Sequence, residues 1–274
     1  MISARNSTSA GEAASRMRPA QICVAELARL IGFDHLNEGD LASEFLPTVR
    51  LLHRDRHLYN AGDRCETVYV IYSGVFKTYS PADDFSEQIL AFPMRGDILG
   101  ADGIASGTYH HSAVAMDTAS VVVLQHADLI HAAHRNRLIA QLMCSLFSKE
   151  LQRNNERVKL LCNTSAVGRF ATFLLDTRTR YSGNGYSATS FHLPMRRDEI
   201  ANYLGVAGET VSRAIALLVR DGLIDIKGRE VALTNINGLM NLAHEPQPAT
   251  AREVRSRNAA RHANSLSLAT LASA

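Results

Sequence analysis

The feature that most constrains the fold is a change of hydrophobic period near residue 138. Between His53 and Leu124, short apolar runs such as VYVIYSG and SVVVL alternate with Gly, Asp, Pro and Ser at roughly ten-residue spacing, which predicts an all-β sandwich or barrel. From Leu138 to Leu161, apolar residues instead recur at three- and four-residue intervals, which predicts one long helix. The chain is therefore expected to be an α+β protein.

Composition narrows the class of protein. A chain of 274 residues with 46% apolar and 20% charged residues suits two folded domains. We find no apolar run of membrane-spanning length, so no membrane association is expected. Four scattered cysteines without a CxxC pair favour a reducing cytoplasm over a disulfide framework. The net charge of +2 leaves nucleic-acid binding undecided.

The segment 197–218, RDEIANYLGVAGETVSRAIALL, has the spacing of a helix-turn-helix. Ala201 is small where the two helices approach each other, and Val211 packs back from the second helix. Gly205 can adopt the left-handed conformation that the turn between the helices requires. The downstream hairpin LIDIKGREVALT resembles a wing with cations at its tip.

The second helix of this motif carries a polar face suited to the major groove. Glu209, Ser212 and Arg213 lie at i, i+3 and i+4, so they project together. Arginine can donate twice to guanine, glutamate can accept from cytosine N4, and serine can approach thymine. We predict phosphate contacts from four further side chains: Arg197, Thr210, Lys227 and Arg229. The alternative is a solvated face with a simple Glu–Arg pair.

The long helix carries an apolar stripe that predicts a self-interface. Its members are Leu142, Leu146, Phe147 and Leu151. A helix longer than a small β domain can cover is expected to meet a second copy of itself. The alternative is a helix packed between the two domains of one chain.

Three features carry a resemblance to a known family: the β domain, the long helix and the sequence LPMRRDEIANYLGVAGETVSRAIALLVRDGLI. Over about residues 35–243 the chain resembles the Crp/Fnr superfamily of bacterial transcription regulators, especially its Fnr-like branch. The resemblance implies a cyclic-nucleotide-binding-type β-roll, a long dimerisation helix and a C-terminal winged helix-turn-helix. Together with the aperiodic composition of the two ends, it divides the chain into five segments: a flexible leader with the start of an N-terminal helix (1–28), a β-roll sensor-type domain (29–137), the dimerisation helix (138–165), the winged helix-turn-helix (166–243) and a mobile basic tail (244–274).

The resemblance also implies a function. It is that of a homodimeric activator on double-stranded promoter DNA, with a half-site similar to TTGAT in the inverted repeat TTGAT-N4-ATCAA. Gly208 stands where the cyclic-AMP receptor branch has a further guanine-reading arginine. The loop 81–86 resembles a surface that Fnr-like activators offer to RNA polymerase, through Asp83, Asp84 and Phe85. A plain solvated turn is the alternative for that loop.

Two departures from the family argue against its known cofactors. Where the cyclic-AMP receptor branch has a glutamate and an Arg-Ser pair, this chain has Ala101 or Asp102, then His111 and Ser112, and asparagines at positions 154 and 155 replace hydroxyl residues for the base. The phosphate thus loses its guanidinium partner, so cyclic AMP is not expected to bind. An iron-sulfur cluster needs four thiolates, whereas only Cys23 lies in the leader and Val122 occupies the β-domain position.

The remaining candidates for metal or haem binding are histidines, at positions 110, 111, 126, 131 and 134. Adjacent histidines on a strand point to opposite faces, and no carboxylate has the accompanying ligand spacing. We therefore expect no metal, no catalytic residue and no cofactor. The alternatives are a cyclic-nucleotide- or haem-responsive regulator of the same fold and, more remotely, a cupin-like metalloenzyme.

Overall fold

The computed structural model describes residues 20–33, 47–81, 87–163 and 165–244. The chain divides into two compact units, Met1–Glu150 and Leu151–Ala274. The boundary falls inside the long helix that the sequence predicts. Most of the predicted leader and nearly all of the predicted basic tail lie outside the described residues.

The described part of the first unit contains eight strands, two short helices and the start of a third helix. The helices are α1 (Val24–Leu30), α2 (His126–Arg135) and α3 (Arg137–Asn163). The strands are β1 (Thr48–Leu52), β2 (His57–Tyr59), β3 (Thr67–Ser73), β4 (Phe76–Pro81), β5 (Glu87–Ala91), β6 (Ile98–Leu99), β7 (Ser112–Ala115) and β8 (Ala119–Gln125). A 3-10 turn at Ala101–Gly103 joins β6 to the segment before β7.

These strands form two antiparallel four-stranded sheets, in the orders β1-β8-β3-β6 and β2-β7-β4-β5. In the first sheet, Val70 pairs with Val122 and Ile71 with Val121. Ile71 and Val121 join a core shared with the second sheet, whereas Val70 and Val122 pack in a separate core with α1 and the first turns of α3. Because both faces of this sheet are covered at its centre, strands β3 and β8 are nearly continuous apolar runs. The β domain predicted from the strand spacing is confirmed.

The first turns of α3 belong to the core of the first unit. Leu142 and Leu146 are only 1% and 3% exposed and lie in the same cluster as α1 and the first sheet. Phe147 is half-buried against that cluster. The prediction that Leu142 and Leu146 form a self-interface is therefore wrong, because the chain's own β-sheet already covers them.

The second unit surrounds a small three-stranded sheet with helices. After α3, its elements are α4 (Ala166–Gly183), β9 (Ser190–His192), α5 (Arg197–Leu204), α6 (Gly208–Arg220), β10 (Ile224–Lys227), β11 (Glu230–Leu233) and α7 (Ile236–His244). The sheet order is β10-β11-β9, so the predicted hairpin gains a third strand. Strand β9 is too short to be predicted from the sequence, because its three residues follow a polar, glycine-rich stretch.

Among the described residues, none of the helices combines the length and the apolar character of a membrane-spanning segment.

Candidate nucleic-acid interface

Helix α5 and the turn after it are fixed by local hydrogen bonds. The backbone N–H of Arg196 donates to Glu199 Oε2 at 2.8 Å, which satisfies the N-cap N–H at the start of α5. Gly205 ends the helix in the left-handed region with φ 64°. The N–H of Val206 donates to the carbonyl of Ala201 at 3.0 Å across this turn. The predicted helix-turn-helix geometry is confirmed.

Helices α5 and α6 pack through small and branched side chains. Ala201 is 2% exposed and Val211 is 1% exposed, as their roles in the motif require. Ala214, Ile215 and Leu218 continue the buried face of α6. Since one side of α6 is buried in this way, the opposite side is presented to solvent.

The solvent face of α6 carries the three side chains predicted to read bases. Glu209 Oε2 and Arg213 Nη2 are 3.1 Å apart, and their side chains are 84% and 81% exposed. Ser212 is also exposed, and its hydroxyl donates to the carbonyl of Gly208 at 3.2 Å. A Cβ placed on Gly208 would meet no atom within 4 Å. The start of α6 is therefore exposed to solvent.

The four predicted phosphate contacts differ in how accessible they are. Arg197 is exposed at the first position of α5, and the Lys227 side chain is 86% exposed on the hairpin. Thr210 is half-buried on α6. Arg229 is also half-buried, and its Nη1 donates to the carbonyl of Pro194 at 3.1 Å. Arg229 therefore ties the hairpin to the segment before α5, a role that the sequence analysis did not assign to it.

Residues near the end of α3 support α5 from behind. The Arg157 guanidinium lies 5.1 Å from the centre of the Tyr203 ring, a cation–π contact. Burial lowers the pKa of Arg157, an effect that the nearby Tyr203 partly offsets. Arg169 on α4 donates to the carbonyl of Leu204 at 3.1 Å, at the end of α5. Sequence reasoning missed these contacts because the partners are far apart along the chain.

In the first unit, the region where the family would bind a cyclic nucleotide has a different chemistry. The Asp102 carboxylate accepts hydrogen bonds from the His110 N–H and from His111 Nδ1, both at 3.0 Å. Burial raises the pKa of Asp102, but these hydrogen bonds outweigh burial and hold the pKa below its usual range. The sequence shows no carboxylate at metal-ligand spacing from these histidines, and the irregular turn brings Asp102 back to the His111 side chain alone.

Behind this turn, tyrosine rings fill the interior of the sandwich. The Tyr59 and Tyr109 rings stack with centroids 3.9 Å apart, and the Tyr69 and Tyr59 rings stack with centroids 6.0 Å apart. The Tyr109 hydroxyl donates to the carbonyl of Thr67 at 2.5 Å. A Cβ on Gly100 would lie 2.7 Å from the Tyr109 ring, so the ring and the turn are in close contact. All three rings are almost fully buried.

The four cysteines are dispersed over the described part of the chain. Cys23 caps α1, where its Sγ accepts from the Glu26 N–H at 3.4 Å. Cys65 is buried, and its thiol donates to the carbonyl of Gly100 at 3.5 Å. Cys144 and Cys162 are exposed on α3. Within the described ranges, no group of three or more His, Cys, Asp or Glu side chains is arranged to hold a metal ion.

The exposed side of α3 carries apolar residues at heptad spacing. Leu151 is 63% exposed and Val158 is 59% exposed, and Cys144 lies one heptad before Leu151. Among the four residues predicted to form the dimer interface, Leu151 is thus the one whose side chain is exposed to solvent. The predicted polymerase contacts Asp83, Asp84 and Phe85 lie outside the described residues.

Comparisons with known proteins match both units. The profile of the Crp-like helix-turn-helix domain matches residues 168–242, and that of the cyclic nucleotide-binding domain matches residues 49–136. The transcriptional activator protein anr of Pseudomonas aeruginosa is 34% identical over 208 residues, which cover 76% of this chain and 85% of the relative. The anaerobic regulatory protein of Haemophilus influenzae is 32% identical over 209 residues, with 76% and 81% coverage. The solved structure of FixK2 from Bradyrhizobium japonicum has a TM-score of 0.66 and 31% identity, and the match covers 73% of this chain and 99% of that one.

Proposed function

Because this chain belongs to the Crp/Fnr family of transcription regulators, we propose that it binds a palindromic promoter site as a homodimer and activates transcription there. As a member of this family it is a DNA-binding regulator rather than an enzyme. The observation that carries the proposal is the exposed trio Glu209, Ser212 and Arg213 on α6, opposite the buried face of that helix. We place its activity in the cytoplasm, where promoter DNA is accessible.

The proposed operator is TTGAT-N4-ATCAA. Arg213 would donate to the guanine, Glu209 would accept from a cytosine of the complementary strand, and Ser212 would help to distinguish a neighbouring thymine. Exposed Arg197 and Lys227 would contact phosphates and set the register of the helix in the groove. Thr210 and Arg229 are less accessible and would contribute less.

Fluorescence anisotropy with labelled duplexes tests the operator. We expect the wild-type protein to bind TTGAT-N4-ATCAA at least about tenfold more tightly than a duplex in which the guanine pair of each half-site is replaced by an adenine pair. Both titrations need the same salt concentration, since the phosphate contribution varies steeply with salt. Equal affinity for the two duplexes would contradict the proposed base contacts.

The homodimer is proposed to form through the exposed heptad positions of α3. Leu151 and Val158 offer apolar surface at seven-residue spacing, which suits a left-handed coiled coil. A symmetric pair of helices would place two copies of α6 on the two halves of an inverted repeat. This arrangement links the self-interface to the palindromic form of the operator.

Activation is proposed to require a contact between the loop 81–86 and RNA polymerase, through Asp83, Asp84 and Phe85. The proposal rests on the similarity of this loop to the corresponding surface of Fnr-like activators. Alanine replacements of these three residues should lower transcription from a target promoter while promoter affinity stays unchanged. A matching loss of affinity would contradict the assignment.

We further propose that the protein works without a cyclic nucleotide and without an iron-sulfur cluster. The buried stack of Tyr59, Tyr69 and Tyr109 occupies the sandwich interior, and Asp102 already pairs with His111. Cys23 caps helix α1, and Cys65 is buried in the core. These two positions do not suit a shared four-thiolate site. Mass spectrometry and an absorption spectrum of anaerobically purified protein test this proposal, because a bound cluster or cyclic nucleotide would overturn it.

A further inference from the structure

A cluster of basic side chains lies where β1 turns into β2. Residues 50–57, RLLHRDRH, contain three arginines and two histidines against one acidic residue. These residues surround a surface cavity of about 460 Å³, lined by Arg50, Leu51, Leu52, His53, Asp55, Arg56 and His57. Its volume is in the range of small-molecule sites. This cavity is distinct from the sandwich interior that the three tyrosines fill.

The turn that forms the cavity is held in a strained conformation. Asp55 has φ 62°, and it is the one non-glycine residue with positive φ in the part of the chain that the structure describes. The Asp55 N–H donates to the carbonyl of Ala115 at 2.8 Å, and the Ala115 N–H donates to the carbonyl of Arg56 at 3.0 Å. Strain of this kind persists only where neighbouring structure imposes it, and it concentrates at functional sites.

The positive charge of the cluster is largely uncompensated. The Asp55 carboxylate is 86% exposed and lies 3.7 Å from Arg54 Nε, on the arginine that does not line the cavity. No described carboxylate pairs with Arg50 or Arg56. His57 Nε2 and the Tyr79 hydroxyl are 2.9 Å apart, which fixes the ring at the edge of the site. Two guanidinium groups and two imidazoles thus face a cavity that holds one carboxylate.

We propose that this cavity binds a small organic phosphate. Guanidinium groups recognise phosphate oxygens in a bidentate manner, and two of them suit a doubly charged anion. The exposed Leu51 side chain provides apolar surface for the organic part of the ligand. The proposal is independent of the operator sequence and of the base contacts made by α6.

Calorimetric titration of the full-length protein with AMP, inorganic pyrophosphate and adenosine tests the proposal. We expect AMP and pyrophosphate to bind and adenosine to bind far more weakly, because it lacks the phosphate. Arg50→Gln with Arg56→Gln should weaken AMP binding by at least about tenfold, the effect of losing one charge-assisted contact. Arg64→Gln is the matched control, since Arg64 is equally exposed in the same unit but pairs with Glu66 at 2.9 Å.

Three outcomes would overturn the proposal. One is the absence of binding by both phosphates at millimolar concentrations while the protein remains folded in thermal denaturation. Another is an equal loss in the Arg64→Gln control, which would indicate a general charge effect. The third combines two results: the wild type does not bind AMP, and the double variant loses affinity for duplex DNA or for polyglutamate. That combination would reassign the cluster to a macromolecular partner.

Discussion

At the scale of single residues, the solvent face of α6 decides which sequence the protein prefers. We expect Arg213→Ala to weaken binding to TTGAT-N4-ATCAA by about 1–3 kcal/mol per half-site and to relax the preference for guanine, because one bidentate contact is lost. Selection from a random duplex library, with wild type and variant in parallel, measures both effects. Arg220→Ala is the control, as Arg220 lies at the end of the same helix and pairs with Asp221 at 2.8 Å. An unchanged preference in the Arg213 variant would contradict the assignment.

The two wing cations should respond differently to removal. Lys227→Ala should weaken binding to all duplexes to a similar extent and flatten the dependence of log K on log salt by about one unit of slope per subunit, hence about two for the dimer, as expected for a phosphate contact. Arg229→Ala should instead lower the free energy of unfolding by about 1 kcal/mol, because the carbonyl of Pro194 loses its hydrogen-bond donor. Salt titrations and denaturant unfolding separate the two results. A stability loss in the Lys227 variant would argue against this division.

The Asp102 carboxylate should make stability depend on pH. Its pKa is lower in the folded state than in the unfolded chain, so the carboxylate stabilises the fold above about pH 4 and this contribution disappears as pH falls through the folded-state pKa. Asp102→Asn should therefore reduce the free energy of unfolding by about 1 kcal/mol at neutral pH and have a smaller effect near pH 3. Urea unfolding at several pH values, with Asp117→Asn on an exposed turn as control, measures the difference.

Functional residues could be predicted from the sequence where their spacing along one helix determines which face their side chains occupy. Glu209, Ser212 and Arg213 were predicted because i, i+3 and i+4 positions share a helix face. The inward bond of Arg229 and the Asp102–His111 pair could not be predicted in this way. Their partners are 35 and 9 residues apart and lie in irregular segments, where periodicity carries no direction.

At the scale of elements, α3 shows the limit of a periodicity argument. Apolar spacing correctly predicted the helix, but it did not reveal which stripe the chain itself covers. Leu142 and Leu146 pack against the first sheet, whereas Leu151 and Val158 are exposed. The helix carries apolar residues on two faces. Only the position of the sheet shows which face is buried within the chain and which is exposed to solvent.

Substitutions on the two sides of α3 should separate folding from association. Leu151→Asp should convert the dimer to a monomer without lowering the free energy of unfolding of the first unit, because a charge on the exposed seam opposes association. Leu146→Asp should destabilise the fold itself by several kcal/mol, since it places a carboxylate in an apolar core. Sedimentation velocity together with thermal unfolding measures both.

The native cysteines offer a check on the register of this seam. If Leu151 and Val158 meet their counterparts, Cys144 lies one heptad earlier and should cross-link to the same residue of a second chain under a mild thiol oxidant. Buried Cys65 should not cross-link. A Leu151→Asp variant that still sediments as a dimer, with no cross-link through Cys144, would refute the proposed seam.

At the scale of the whole molecule, the proposed twofold symmetry makes the operator spacing a strict requirement. Adding one base pair to the four-base spacer would rotate one half-site by about 35° and move it by about 3.4 Å relative to the other. We expect at least about tenfold weaker binding, because one subunit must detach or the duplex must be twisted. Anisotropy titrations with N4 and N5 duplexes test this, and equal affinities would contradict binding as a rigid symmetric dimer.

The ion pair between Glu209 and Arg213 also affects how such a protein would search a genome. While the pair is closed, the two charges cancel, so the tip of the recognition helix adds little to the attraction for arbitrary DNA and does not slow sliding. Opening the exposed pair costs only a few tenths of a kcal/mol. A half-site with a G·C pair at the contacted position repays this cost, because the guanine accepts from Arg213 and its paired cytosine donates to Glu209, whereas an A·T pair there does not match both side chains. The two charges would thus stay paired during the search and separate only at a matching half-site.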